Sequence, residues 1–333
     1  MSSLLVNLFN SGVDGYHTYR IPSLLLSPSG TLLAFCEGRR NSRDDHGDID
    51  LVLKRSEDGG NTWSEQQLVY REEGDIAIGN PCPVVDRDTG TLWLLFSRDN
   101  HDVLVTHSRD DGLTWAEPRD ITADAKKQEW TWYATGPGIG IQLERGENKG
   151  RLVIPCDHQT PDGYRSGSHA VYSDDHGQTW QAGAAIQPGG DECQVVELED
   201  HRLLMNMRME NRTEGYRALA RSEDGGETWS EPAYDENLPC PVCQASFIRA
   251  GSRLLFSNPV PPGPATFERG DRVNLTVRAS EDAGRSWPVA RLLHEGPSAY
   301  SCLCALPGGD IGCLFEGGEK MCYEQIIFAR FLL

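Results

Sequence analysis

One short string returns five times and constrains the fold more than any other feature of the chain. "SEDGGNTW" (56–63), "SRDDGLTW" (108–115), "SDDHGQTW" (173–180), "SEDGGETW" (222–229) and "SEDAGRSW" (280–287) share the pattern S-x-D-x-G-x-[ST]-W. Their starts lie 52, 65, 49 and 58 residues apart, and a recurrence of that length marks a repeat architecture. An alternating strand precedes each copy, as in "DLVLKRS", "DVLVTHS" and "LTVRAS", and a short second strand follows, as in "SEQQLVY". Each string therefore reads as a β-hairpin turn. Asp58 accepts backbone N–H bonds within the loop, Gly60 takes a conformation closed to other residues, and Trp63 fills a gap between neighbouring sheets. A catalytic role for the strings is weak, and one Asp with no downstream Glu makes a poor calcium cage.

Sheets of four antiparallel strands at about 50 residues each point to a β-propeller. A length of 333 residues accommodates six such blades in a single domain over 1–333. The sixth unit lacks the string, so the N-terminal strand is expected to close the ring beside the C-terminal "EQIIFARFLL".

Composition narrows the function. With 31 Lys and Arg against 50 Asp and Glu, the formal charge is −19, which disfavours nucleic acid and anionic membranes as general partners. No run of about 18 apolar residues is present for a membrane-spanning helix. The first residues lack the basic and apolar regions of a signal peptide, so a cytoplasmic location is expected. Of the ten cysteines, Cys36, Cys82, Cys156, Cys193 and Cys313 sit in apolar strand-like runs, where free Cys behaves as a small hydrophobe. The spacing of Cys240, Cys243, Cys302 and Cys304 does not match a paired C-x2-C zinc site.

The strings resemble the Asp-boxes of sialidases (neuraminidases), and "YRIPSLL" (19–25) resembles that family's F/Y-R-I-P motif. Further resemblances follow in family order: "EGRRNSRDDHGDIDLVLKRS", "DECQVVEL", "LLMNMR", "RVNLTVRAS", "PSAYSCL" and "GCLFEGG". The intact boxes are bacterial in style, while "NPCPVVD" and the overall size are similar to animal cytosolic sialidases. This resemblance implies an exo-α-sialidase that hydrolyses terminal α-linked sialic acids from oligosaccharides, glycoproteins or glycolipids, with no metal or organic cofactor. It implies that Arg20, Arg208 and Arg272 clamp the substrate carboxylate, that Glu316 supports Arg20, and that Arg39 contacts the sugar near O4. Tyr300 is implied as nucleophile, Glu192 as its general base and Asp45 as the acid/base.

The chemistry suits those residue types. Arg donates paired N–H bonds in a fixed fork. A phenol, unlike a carboxylate, approaches the anionic anomeric centre without repulsion, and sialidases are an exception among glycosidases in using Tyr. Alternatives stay open at several positions: Asp44 for Asp45, Arg212 or Arg217 for Arg208, and Arg278 or Arg269 for Arg272. Tyr323 is set aside because it falls at the closing strand, and Glu197 because alternation sends it to the face opposite Glu192. Asn80 stands where some relatives carry an aspartate. Trp130, Trp132 and Tyr133 belong either to the rim of the site or to the core. The sequon at Asn274 lies beside Arg272 and another begins at Asn211; they matter only in a secreted protein. Rival outcomes on the same site are sialyl transfer, hydrolysis of the deaminated sugar KDN, or an inactive sialoglycan-binding propeller.

Overall fold

Strands that alternate and end in self-satisfied turns produce up-and-down sheets, and the structure is built of them throughout. The computed structural model describes residues 4–162, 166–209, 215–262 and 272–333. The first sheet runs Thr18–Leu26, Leu32–Arg39, Ile49–Ser56 and Gln67–Tyr70, each strand antiparallel to the next. The second runs Ile78–Asp86, Thr91–Arg98, Asp102–Ser108 and Arg119–Asp120. The third is built on Trp132–Thr135, Leu152–Gln159, Gly167–Ser173 and Gln181–Ala182, with the short Ile141–Gln142 added to its second strand. The fourth comprises Gly190–Glu197, Leu203–Met209, Tyr216–Ser222 and Ala233–Pro239.

The remainder differs from separate four-stranded sheets. Seven strands form one ladder because the strand Val289–Ala305 is continuous. Its first half pairs with Val273–Ser280 and its second half, from Ser298, with Ile311–Gly317. The N-terminal strand Leu4–Asn10 pairs antiparallel with Gln325–Phe331 and completes the final group of four, as the sequence led us to expect.

The boxes are scaffolding. In the first, Asp58 Oδ1 accepts Thr62 N–H at 2.9 Å and Ser56 Oγ–H at 2.9 Å, Oδ2 accepts Thr62 Oγ1–H at 2.7 Å, and Ser56 Oγ accepts Gly60 N–H at 2.8 Å. The same pattern recurs around Asp110, Asp175, Asp224 and Asp282. These bonds, from the Thr62 backbone and hydroxyl first, lower the exposed Asp58 carboxyl to about 2. Each box Trp packs into the apolar layer shared with the preceding sheet: Trp63 against Phe328, Trp115 against Phe35, and Trp180 against Trp93. Trp229 and Trp287 do the same in the next two layers. The layers follow one another around the molecule, and the last joins Phe328 and Leu314 to Leu24 and Leu32 of the first sheet. Burial of each such side chain contributes about 1.5–3 kcal/mol.

Candidate active site

The first strands of the sheets lie side by side, and four of them break register near the same end. The breaks fall between Arg20 and Ser23, Gly79 and Cys82, Gly190 and Cys193, and Ser298 and Ser301. A bulge re-aims side chains that alternation would send to opposite faces. Here the bulges contain or adjoin Arg20, Asn80, Asp191, Glu192 and Tyr300, and all five line one cavity of about 240 Å³. Ile21 has φ of 60°, an outlier for a β-branched residue.

Arg20 is buried, and its charge is matched by Glu316. Arg20 Nε donates to Glu316 Oε1 at 2.6 Å, and Ile21 N–H donates to the same oxygen at 2.9 Å. The other oxygen, Oε2, accepts the Tyr300 backbone N–H at 3.1 Å. One carboxylate thus ties two neighbouring inner strands together at the site.

Among the described residues, two acids hold Arg208. Its Nη1 donates to Glu192 Oε2 at 2.6 Å and to the Tyr300 hydroxyl at 3.2 Å, and its Nε lies 2.9 Å from Asp191 Oδ2. Burial raises Glu192 above the ordinary glutamate range; Arg208 opposes the rise and Asp191 adds to it. Burial, followed by the Glu192 charge, also holds the Tyr300 phenol well above 10, although Arg208, Arg272 and Arg20 pull it down. Tyr300 is therefore a neutral phenol at rest, beside a carboxylate able to take its proton.

Arg272 differs from the other two. Its Nη1 donates to the Tyr323 hydroxyl at 3.0 Å and its Nη2 to the Val242 carbonyl at 2.6 Å. Among the described residues it has no carboxylate partner, and its buried Nε has no hydrogen-bond partner. The guanidinium carbons of Arg20 and Arg272 lie 5.2 and 5.5 Å from the Tyr300 ring centre. The three arginines thus surround one phenol, and Arg272 is left able to receive an anion.

Arg39 organises the loop that carries Asp45. Its Nε and Nη2 donate to Glu37 Oε2 at 3.0 and 2.6 Å. Its Nη1 donates to the Arg43 carbonyl at 2.6 Å and to Asp45 Oδ1 at 2.7 Å. Asp45 also lies 3.7 Å from Arg20 Nη1 and keeps its side chain 67% exposed. The more distant Asp44 lines only a neighbouring cavity that Asp45 shares.

Of the residues expected at the site, Arg20, Arg39, Asp45, Glu192, Arg208, Arg272 and Tyr300 line the cavity, and Glu316 stands directly behind it. Arg217 is buried elsewhere, donating to Asn206 and the Cys243 carbonyl, and Arg278 faces Asn258. Glu197 lies at the opposite end of the inner strands, accepting the Glu144 and Arg145 N–H groups. Arg212, Arg269 and the sequon at Asn211 lie outside the described residues. Trp132 joins the rim, whereas Trp130 and Tyr133 are core residues.

Sequence reasoning missed Glu37, Asp191, Asn100, Gln159 and His46. Tyr323 needs correcting: it sits in the turn before the closing strand, with the Arg20 guanidinium carbon 4.1 Å from its ring centre. Two signals were available, the acid next to Glu192 and the acid two residues before Arg39. Among the described residues, the group able to gather three metal-ligating atoms is Asp86, Asp88 and His176. Gln142, Thr89 and His176 already bond the Asp86 oxygens. All ten cysteines are free.

Residues 30–313 match the BNR repeat-like domain. The chain is 38% identical to a sialidase of Micromonospora viridifaciens, over 96% of this chain and 53% of that protein. It is 32% identical to an exo-alpha-sialidase of Aspergillus fumigatus, over 96% of this chain and 85% of that one. The solved structure of Hadza microbial sialidase Hz136 superposes with a TM-score of 0.88 at 30% identity, covering 99% of this chain and 68% of that chain. The chain spans about half the length of the Micromonospora relative. By its repeats, its relatives and its superposition, the chain belongs to the sialidase family.

Proposed function

We propose that this chain hydrolyses terminal α-linked sialic acids as an exo-α-sialidase, with retention through a glycosyl-tyrosine. The observation that carries the reading is the convergence of Arg20, Arg208 and Arg272 around Tyr300, with Arg272 lacking a carboxylate partner among the described residues. A sugar whose anomeric carbon bears a carboxylate suits that arrangement. The named sialidase and exo-alpha-sialidase relatives support the same substrate class.

In the first step the arginines hold the carboxylate. The Tyr300 O–H bond breaks, its proton passes to Glu192, and the phenolic oxygen bonds to the anomeric carbon. The bond from that carbon to the leaving oxygen breaks, and Asp45 supplies that oxygen with a proton. In the second step Asp45 takes a proton from water, whose oxygen displaces Tyr300, and Glu192 returns the proton to the phenolate. Arg39, fixed by Glu37, serves in this reading to hold the Asp45 loop and to meet the sugar hydroxyls.

The four-strand groups support six blades of one propeller domain spanning the chain, with the long strand Val289–Ala305 shared by the last two. The ten free cysteines, nine of them buried, support a reducing, cytoplasmic setting.

The test is release of a fluorophore from an α-ketoside of N-acetylneuraminic acid, run beside the KDN ketoside. Release from either supports a sialidase and ranks the two sugars. Release from neither between acid and neutral pH overturns it.

A further inference from the structure

We propose that the leaving-group side of this site takes an anionic sugar held by Arg43 and Lys320, so that a leaving residue bearing a carboxylate or a sulfate is favoured over a neutral one. The inference rests on the sialidase reading above and names the class of leaving group for that same site.

A second cavity, of about 480 Å³, adjoins the first and shares Arg20, Asp45, Arg272 and Tyr323 with it. Its size falls in the range of small-molecule sites. Asp45 passes a proton to the leaving oxygen in the proposed reaction, and its side chain, 67% exposed, lines both cavities. The group on that oxygen must come up against Asp45, and the second cavity gives it room.

This cavity adds two cations. Arg43 and Lys320 are exposed and line it. Among the described residues neither side chain has an ion pair or a hydrogen bond. Their backbones, by contrast, are fixed. The Arg43 carbonyl accepts Arg39 Nη1–H at 2.6 Å. Lys320 N–H donates to Glu324 Oε1 at 3.2 Å, Glu319 N–H to Oε2 at 2.8 Å, and Gly318 N–H to the Pro297 carbonyl at 3.2 Å. Two charges are thus carried on pinned turns with no acid to meet them, which lowers the ordering cost of binding an anion. Val273 and Met321 supply apolar contact for a sugar ring.

The balance of charge agrees. Asp44 also lines the cavity but pairs with neither cation, so beyond the shared residues two positive charges stand against one negative. The chain as a whole carries −19, a field that repels an acidic substrate from afar. Physiological salt screens charges beyond about 8 Å, which leaves the nearby groups to decide. One cation touching one anion in water strengthens binding about fivefold.

Two matched pairs of substrates test this and separate the sources of the anion. One is an α-linked sialic acid dimer beside the same dimer with the carboxyl of its leaving residue amidated. The other is sialyllactose sulfated on its galactose beside plain sialyllactose. In at least one pair, kcat/KM for the acidic member should exceed that for the neutral member by about fivefold, and which pair does so identifies carboxylate or sulfate. The advantage should shrink between about 0.01 and about 1 M salt, as the screening length falls from roughly 30 to roughly 3 Å. It should drop toward parity in Arg43→Gln and in Lys320→Gln, through KM rather than kcat. No advantage in either pair, an advantage indifferent to salt, or one that survives both substitutions overturns the proposal. The salt series uses the wild-type protein and decides even if a variant does not fold. Turnover of the neutral members without an acidic advantage would sink this inference alone. Turnover of none of the four would fail the sialidase reading and this inference with it.

Discussion

Glu316 joins Arg20 to Tyr300: one carboxylate oxygen accepts Arg20 Nε at 2.6 Å and the other accepts the Tyr300 backbone N–H at 3.1 Å. The residue is completely buried, and Arg20 supplies its opposite charge. Carboxylate clamp and phenol are thereby held in register by a residue that stands behind the cavity wall.

Replacing Glu316 by Gln turns one acceptor into a donor, which must then face either Arg20 Nε–H or Tyr300 N–H. Breaking a buried ion pair costs about 3–5 kcal/mol. We expect a lower Tm together with a higher KM, measured by thermal denaturation and steady-state kinetics on the same preparation. An unchanged Tm and KM would remove Glu316 from the account.

Glu192 must be ionised to accept the Tyr300 proton. Burial, with Asp191 adding to it, raises Glu192 above its ordinary value of 4.5. Activity should therefore fall as pH drops through that raised value, placing the acid limb of kcat/KM above about 4.5. Glu192→Gln should lower kcat by roughly 10²–10⁴-fold and abolish the limb. A full-activity E192Q enzyme would exclude Glu192 as the base.

The histidine cluster behind the rim makes stability depend on pH. His158 stacks on Trp130 with ring centres 3.6 Å apart, and its Nδ1 lies 3.1 Å from His169 Nδ1. Burial, with Lys127 adding to it, lowers His158 to about 3; burial, then His158 and Lys127, holds His169 well below 6.5. Unfolding frees both to protonate near 6.5, so their contribution is complete above that pH and is lost as pH falls toward about 3. Urea midpoints should drop between about pH 7 and about pH 5, and less so in His158→Gln. Equal drops in the two proteins would refute this.

The boxes should matter for stability and not for turnover. A Cβ at Gly112 would lie 2.4 Å from Leu33 Cδ2, and φ there is 77°. Gly112→Ala should destabilise by about 1 kcal/mol or more, with kcat/KM of the folded enzyme unchanged. A chelator should leave Tm unchanged, because Thr114 and Ser108 already fill the Asp110 oxygens. A chelator-induced fall in Tm would reopen the calcium reading.

The boxes were legible in the sequence because each satisfies itself within eight residues. The site was legible only through family resemblance, since Arg20, Arg208 and Arg272 are brought together by topology and carry no local signal. Period-two alternation failed where bulges intervene: Asp191 and Glu192 are neighbours, yet both face the cavity because register breaks between Gly190 and Cys193. Tyr323 was misjudged because the closing strand begins only at Gln325. The seven-stranded ladder was hidden as well, since the short strand expected after the last box and "PSAYSCL" read as separate strands, and Gly296-Pro297 does not interrupt them.

The central claim is that Tyr300 attacks the anomeric carbon beneath the three arginines. Incubation with a 2,3-difluorosialic acid, followed by intact mass measurement and peptide mapping, tests it directly. The account predicts one glycosyl adduct, on the peptide containing Tyr300, and none in Tyr300→Phe. An active enzyme whose adduct maps to Asp45, Glu192 or Tyr323 would contradict it.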